Sequence, residues 1–331
     1  MNLNFQQGLI DNHGRKVDYL RLAITDRCNL RCFYCMPADG IPYLPEKNLL
    51  SWDEMERLVD VLVELGIRKV RITGGEPFLR KGLIEFLQKI RKHNDLEIGI
   101  TSNGVLLGQY LEQLVDLNVT NVNLSLDSID PNRFKQITRR DEFEQVFHAL
   151  ERMIDLNFKV KINAVVMKGK NEEDLIPLAQ LAQSNPVSIR FIEEMPFNGN
   201  GENIDTIHWL QIKAKLLQNF PGMQDLPMKA GETAQRFSIP DFKGDIGIIA
   251  AHSRTFCGTC NRLRITASGM VKTCLYDDGV FDLKTYLRSG VSDAELKEIF
   301  VGLNQKRPVD GIEAEKNRKV TINESMTTIG G

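Results

Sequence analysis

All six cysteines of this 331-residue chain fall into two triplets. Cys28, Cys32 and Cys35 stand at C-x3-C-x2-C spacing, and Cys257, Cys260 and Cys274 at C-x2-C-x13-C. Thiolates are soft ligands for zinc and for iron–sulfur clusters. Three at close spacing hold a metal centre one ligand short, and an open coordination position is where a substrate or cofactor binds and reacts. The first loop is too tight for separate disulfides and small enough to wrap a [4Fe-4S] cube on three corners. Zinc prefers a closed set of four ligands. No histidine or fourth cysteine adjoins the first triplet; the nearest, His13, precedes the strand. For the second triplet, a Cys3His zinc site with His252 stands as the alternative to a cluster.

The second triplet comes with cations. Cys257-Gly-Thr-Cys260-Asn-Arg262-Leu-Arg264-Ile-Thr266 runs through Ala267-Ser268-Gly269 into Met270-Val-Lys272-Thr-Cys274. This reads as a β-hairpin with Gly269 in the turn. With Ala267 to Gly269 as the loop, Thr266 pairs with Met270 and Arg262 with Cys274. Arg262, Arg264 and Cys274 then share a face. A two-residue loop would slip the register by one and turn Cys274 away. The first register is the expectation. Fixed arginines beside a metal centre suit the phosphates of an anionic substrate; their plainer reading is a solvated face. There is no G-x-x-x-x-G-K-[ST] loop and no G-x-G-x-x-G after a strand, so a nucleotide here would be held by side chains and a cluster.

The frame that positions these groups is legible from periodicity. Strands are expected at 19–24, 69–72, 97–101, 121–126, 160–166 and 187–192. Ser51 to Leu65 reads as a helix, with Ser51 and Glu54 as a capping box and Gly66 as its stop. A second helix falls near Leu83 to Lys92. That makes about six β-α units, which implies a parallel sheet with right-handed crossovers. Six is short of a full eight-strand barrel, so the expected fold is α/β: an incomplete (β/α)6 TIM-like barrel. Its site belongs at the C-terminal ends of the strands. Cys28 follows the first strand, and Thr73-Gly-Gly75-Glu76-Pro77 follows the second. Glycines there permit close backbone approach, though alone they also fit an ordinary βα turn. From about Asn198 the pattern loosens around Gly199, Gly201, Gly222, Gly231, Gly244 and Gly247. The expected division is a core at 1–220 and a C-terminal β-containing, cluster- and substrate-binding region at 221–331. Two short helices, 283–288 and 292–303, precede a polar tail ending in Gly330-Gly331.

Composition narrows the class. Hydrophobic content of 42% and charged content of 26% are those of a globular protein. A net charge of -2 argues against a general nucleic-acid binder. Met1 to Gly14 has no apolar h-region and no apolar run reaches a membrane span, so a cytoplasmic protein is expected. There, clustered cysteines are more often metal ligands than disulfides.

Cys28-Asn-Leu-Arg-Cys32-Phe-Tyr34-Cys35 resembles the cluster motif of the radical S-adenosylmethionine (SAM) enzymes, and Thr73 to Pro77 resembles their GGEP loop. Over nearly its full length the chain is similar to the MoaA family of GTP 3',8-cyclases of molybdenum cofactor biosynthesis. Further matches are Asp18-Tyr-Leu-Arg21, Arg71-Ile-Thr, Thr101-Ser-Asn-Gly104, Ser125-Leu-Asp127, Lys161-Ile-Asn163, Arg190-Phe-Ile-Glu-Glu-Met195, Cys257 to Arg264, Cys274 and the Gly330-Gly331 terminus. The resemblance implies two [4Fe-4S] clusters on the two triplets, and SAM held at Tyr34, Gly75, Ser125 and Met195. It implies GTP contacts from Arg21, Arg71, Thr101, Lys161, Arg190, Arg262 and Arg264, and a Gly-Gly tail reaching the active site. The implied chemistry is reductive SAM cleavage to methionine and a 5'-deoxyadenosyl radical, abstraction of the GTP 3' hydrogen, attack of C3' on guanine C8, then one-electron reduction and protonation. The second cluster binds guanine instead of cleaving SAM. The implied partners are GTP, an electron donor and a downstream cyclic pyranopterin monophosphate synthase, with a homodimer allowed and no nucleic acid or membrane. Rival readings are a radical SAM enzyme that modifies peptides with an auxiliary cluster, and a non-catalytic zinc-knuckle binding protein.

Overall fold

The computed structural model describes residues 8–197, 205–319 and 325–330. Gly331 and the stretch Asn198 to Gly201 lie outside the described residues. In chain order the strands are β1 (Leu9–Ile10), β2 (Lys16–Val17), β3 (Tyr19–Ala23), β4 (Lys69–Thr73), β5 (Glu97–Ser102), β6 (Asn121–Ser125) and β7 (Lys159–Val166). They continue as β8 (Ser188–Glu193), β9 (Gln224–Asp225), β10 (Gln235–Ser238), β11 (Asp245–Ile249), β12 (Arg262–Ile265), β13 (Met270–Lys272) and β14 (Phe281–Asp282). The six strands expected between residues 19 and 192 are β3 to β8, each within two residues of its expected bounds. The protein is α/β with a mostly parallel sheet.

The chain forms two compact units that interleave along the sequence: Met1–Cys28 with Pro42–Ile100 and Cys257–Gly331, and Asn29–Ile41 with Thr101–Phe256. The expected boundary at 220/221 falls inside the second of these.

In the first unit the strand order is β14-β13-β12-β3-β4-β5. Strands β12, β3, β4 and β5 run parallel, while β13 and β14 are antiparallel. Leu20, Leu22, Val70, Ile72, Ile98 and Ile100 are buried on one face, each contributing about 1.5–3 kcal/mol. The intervening residues Tyr19, Arg21, Lys69 and Arg71 occupy the other face, because strand side chains alternate. Helix α1 (Trp52–Glu64) begins with the expected capping box: Ser51 Oγ accepts from the Glu54 amide at 3.1 Å, and the Glu54 carboxylate accepts from the Ser51 amide at 2.7 Å. It buries Met55, Leu58, Val59, Val61 and Leu62; helix α2 (Leu83–Ile90) buries Leu83, Phe86, Leu87 and Ile90. Both follow the three-to-four-residue spacing of an amphipathic helix.

In the second unit the order is β6-β7-β8-β11-β10-β9, with β6, β7, β8 and β11 parallel and β10 and β9 antiparallel. Among the described residues no helix is long and apolar enough to cross a membrane.

Candidate functional site

In the first unit, strand pairing builds two rows of polar residues. The hairpin of β12 and β13 takes the expected register: Arg264 pairs with Lys272, Ile265 with Val271, and the Thr266 amide donates to Met270 O at 2.9 Å. Strand β12 lies parallel to β3, setting Arg264 against Arg21 and Arg262 against Tyr19. Strand β4 sets Arg71 against Arg21 and Lys69 against Tyr19. Lys272, Arg264, Arg21 and Arg71 therefore stand at one level on four adjacent strands, all on one face. Arg71 and Lys272 are each 1% exposed. Arg71 Nε donates to Tyr19 Oη at 2.7 Å and Nη1 to Ile100 O at 2.9 Å.

The electrostatics follow from this crowding. Burial, then repulsion from Arg264, lowers the Arg21 pKa to about 9. Arg264 is lowered by burial and by Arg262. Burial acts to raise the Tyr19 phenol, but Arg71, Arg21, Arg262 and Lys69 outweigh it and bring it to about 7.

The second cysteine triplet sits on the same unit. Cys257–Thr259 is a single 3-10 turn, closed by the Cys260 amide on Cys257 O at 3.1 Å. Cys274 follows β13 in a loop gathered by Asp277, whose Oδ2 accepts from the Thr273 amide, the Thr273 hydroxyl and the Cys274 amide at 2.8–3.1 Å. Lys272 Nζ lies 3.9 Å from Asp277 Oδ1. Burial acts to raise the Cys260 thiol, but the Arg262 guanidinium and amide, Arg307 and Arg264 hold it below the usual thiol range. Cys274 is pushed up to about 11, chiefly by burial, with Asp277 and the Cys260 and Cys257 sulfurs adding to it.

Cys28 also belongs to this unit, and the GGEP loop props the approach to it. Gly75 N donates to Thr25 O and Glu76 N to Arg27 O, both at 2.8 Å. A Cβ on Gly74 would lie 2.3 Å from Thr25 O, and one on Gly75 2.1 Å from Arg27 O. The close approach these glycines permit is to the chain's own backbone, just ahead of Cys28. Glu76 is fully buried and accepts from the Phe78 amide.

The second unit carries Cys32, Tyr34, Cys35, Thr101, Ser125, Lys161, Arg190 and Met195. Cys32 O accepts from the amides of Cys35 and Met36, a turn that brings both thiols to one loop. The end of the helix Pro131–Thr138 holds that loop: Arg31 N donates to Thr138 O, Phe33 N to Ile137 O, and Arg139 Nη1 to Met36 O. Tyr34 Oη donates to Asp127 Oδ2 at 2.8 Å, and Asp127 Oδ1 accepts from the Val165 amide. Burial raises Asp127 to about 6 against those two hydrogen bonds, and raises Glu194 to about 6, with Asp127 adding to it. Ser125, Asn163 and Arg190 align across β6, β7 and β8, one level from Asn123, Lys161 and Ser188. Arg190 is buried beside Asp245, with Nη2 3.6 Å from Oδ1. Across from it Gly247 leaves the room its guanidinium occupies, since a Cβ there would meet Nη1 at 2.2 Å. Thr101 Oγ1 is buried without a hydrogen-bond partner among the described residues, and Met195 is half-buried after β8.

The sequence matches the Radical SAM superfamily over residues 22–182 and the Molybdenum Cofactor Synthesis C family over residues 187–311. It is 39% identical to the GTP 3',8-cyclase of Desulforamulus reducens over 91% of this chain and 94% of that one. The chain belongs to the GTP 3',8-cyclase family. It is also 40% identical, over 89% of its length, to molybdenum cofactor biosynthesis protein 1 of Bos taurus, of which the match covers 47%. The chain thus spans about half the length of the first such relatives. Its fold is similar to the crystal structure of Streptococcus suis SuiB, with a TM-score of 0.60, 14% identity, and coverage of 90% of this chain and 68% of that one.

Among the described residues of this GTP 3',8-cyclase family chain, no three His, Cys, Asp or Glu side chains converge on a single-ion site. The donor chemistry fits an iron–sulfur cluster at the second triplet: three half-buried thiols, with arginines that favour the thiolate at Cys260. His252, the alternative fourth ligand, is exposed. Sequence reasoning about this family chain missed Tyr19, Lys69, Lys272, Asp277 and Arg307. Lys272 had a signal: the favoured hairpin register already set it opposite Arg264. Arg307 had none, since its neighbours come from distant segments.

Proposed function

We propose that this chain is a GTP 3',8-cyclase, converting GTP to (8S)-3',8-cyclo-7,8-dihydroguanosine 5'-triphosphate in the first step of molybdopterin biosynthesis. The observation that carries this reading is the row Lys272, Arg264, Arg21 and Arg71. Like charges on directly opposed residues repel, and burying guanidinium groups is costly unless an anion compensates. Asp277 stands beside Lys272 and the Tyr19 phenol beside Arg71; a triphosphate laid along the row adds to that compensation, above all between Arg264 and Arg21. Membership of the GTP 3',8-cyclase family supports GTP as that triphosphate.

When bound, SAM and a reduced [4Fe-4S] cluster at Cys28, Cys32 and Cys35 supply the one-electron chemistry that removes the ribose 3' hydrogen. The residues of the chain position and shield. Arg21, Arg71, Arg262 and Arg264 neutralise the phosphates, with Thr101, Lys161 and Arg190 as further GTP contacts. Cys257, Cys260 and Cys274 would hold the second cluster, which would bind guanine when present. Tyr34, Gly75, Ser125 and Met195 bind SAM, with Tyr34 steadied by Asp127. Gly330 and Gly331 form a tail that shares the arginines with substrate. The reading further assigns a cytoplasmic location, an electron donor, and a cyclic pyranopterin monophosphate synthase as the consumer of the product, and it allows a homodimer.

The test uses anaerobically reconstituted, reduced protein given SAM and GTP, with mass spectrometry for 5'-deoxyadenosine and for a GTP isomer of unchanged mass. Both products are expected. Deoxyadenosine without the isomer moves the search to another substrate, such as a peptide. Zinc in place of iron ends the reading.

A further inference from the structure

The loop that carries Cys257 and Cys260 is gripped by an ion triad assembled from the two ends of the chain. Asp11 lies on the hairpin of β1 and β2. Its carboxylate accepts from Arg15 Nε at 2.6 Å and from the amides of His13 and Arg15 at 2.9 Å. Arg307 Nη1 stands 3.4 Å from Asp11 Oδ2. All three side chains are buried, with Arg15 9%, Asp11 4% and Arg307 3% exposed. The two guanidiniums spend their other donors on the cysteine loop and its surroundings. Arg15 donates to Cys257 O at 3.1 Å and to Pro308 O and Val309 O at 2.7 Å. Arg307 Nη2 donates to Cys260 O at 3.3 Å, to Arg262 O at 3.1 Å and to Cys260 Sγ at 3.7 Å. The His13 ring nitrogen Nε2 closes the assembly on Arg307 O at 3.0 Å.

Charge bookkeeping gives this cluster a direction. Two buried cations share one carboxylate, leaving a surplus positive charge, and the guanidinium that carries the looser ion pair points at the Cys260 sulfur. A buried surplus charge is tolerated where an anion completes it. A thiolate carrying an iron–sulfur cluster is such an anion, and an N–H···S bond to a ligand sulfur is one of the levers that set a cluster's reduction potential.

We propose that Arg307 is a positioning residue for the second cluster: it fixes Cys260 through its sulfur and carbonyl, raises the cluster's reduction potential, and is itself held by Asp11 and Arg15. This rests on the reading that Cys257, Cys260 and Cys274 bind a cluster. Withdrawing electron density from the thiolate favours the reduced state, so losing the bond lowers the potential.

The experiment uses the full chain with Cys28→Ala, Cys32→Ala and Cys35→Ala, so that only the second site can hold iron, and follows a redox titration by electron paramagnetic resonance. A parent that binds no cluster overturns the cluster reading itself. With the cluster present, Arg307→Lys keeps the charge but loses the fork, and is expected to shift the midpoint potential downward. Arg307→Gln shifts it further. An unchanged midpoint in both variants overturns the inference. Should both lose their iron, Asp11→Asn decides: it removes the carboxylate that offsets Arg307 and leaves the guanidinium beside Cys260 less compensated. An upward shift is expected, and an unchanged or lower potential overturns the inference.

Discussion

Arg264 Nη1 donates to the carbonyl oxygen of Gly330 at 3.0 Å, and Arg21 reaches the same oxygen at 3.4 Å from Nε and Nη2. Gly330 thus lies among the cations of the row. Gly330 fits there as glycine: its φ is +74°, and a Cβ would lie 2.8 Å from Thr73 Cγ2.

Arg264 is central to substrate binding under the proposed function. Losing a charge-assisted hydrogen bond costs about 1.5–3 kcal/mol. Arg264→Ala is expected to lower kcat/KM for GTP about ten- to hundredfold, measured by steady-state formation of the isomer. The iron bound at Cys28, Cys32 and Cys35 should be retained; its loss would mean that Arg264 acts through folding.

Cys28→Ala separates the two metal sites. SAM cleavage should vanish, and bound iron should fall from about eight to about four per chain. Retention of 5'-deoxyadenosine production would contradict the assignment of SAM to the first triplet.

Gly75 tests the packing of the GGEP loop. With Arg27 O only 2.1 Å from the would-be Cβ, Gly75→Ala must force the backbone at Arg27 away, next to Cys28. A loss of about 2 kcal/mol or more is expected in urea unfolding, in the range of overpacked positions. A variant as stable as the parent would show that the two loops part easily.

Asp127 predicts a pH dependence with a definite sign. Its folded-state value of about 6 lies above the unfolded 3.8, so between roughly pH 4 and 6 the folded state holds a proton the unfolded state has lost. Stability therefore falls as pH rises through that window. Asp127→Asn cannot ionise and also relieves Glu194, which Asp127 pushes upward. The stability of the variant relative to the parent should rise by on the order of 3 kcal/mol from pH 4 to pH 7. Urea denaturation across that range measures it, and a flat difference would show that Asp127 titrates normally.

What the sequence determined by itself is what local chemistry dictates. Alternation and β-branching marked β3 to β8; Ser51 and Glu54 marked the start of α1. Gly269 marked the turn whose length set Arg264 opposite Lys272. The two cysteine triplets announced metal chemistry through ligand type and number alone. Tertiary structure decided what depends on strands far apart in sequence. That β12 lies against β3, and so aligns Arg264 with Arg21, could not be read from either segment, because a strand edge carries the same amide and carbonyl groups whatever its partner. The same holds for Arg307 and Asp11, which meet only because the chain's two ends pack together, and for the interleaved units. Lys272 was visible as a residue, but its burial comes from the surrounding fold, which its own neighbours in sequence do not encode.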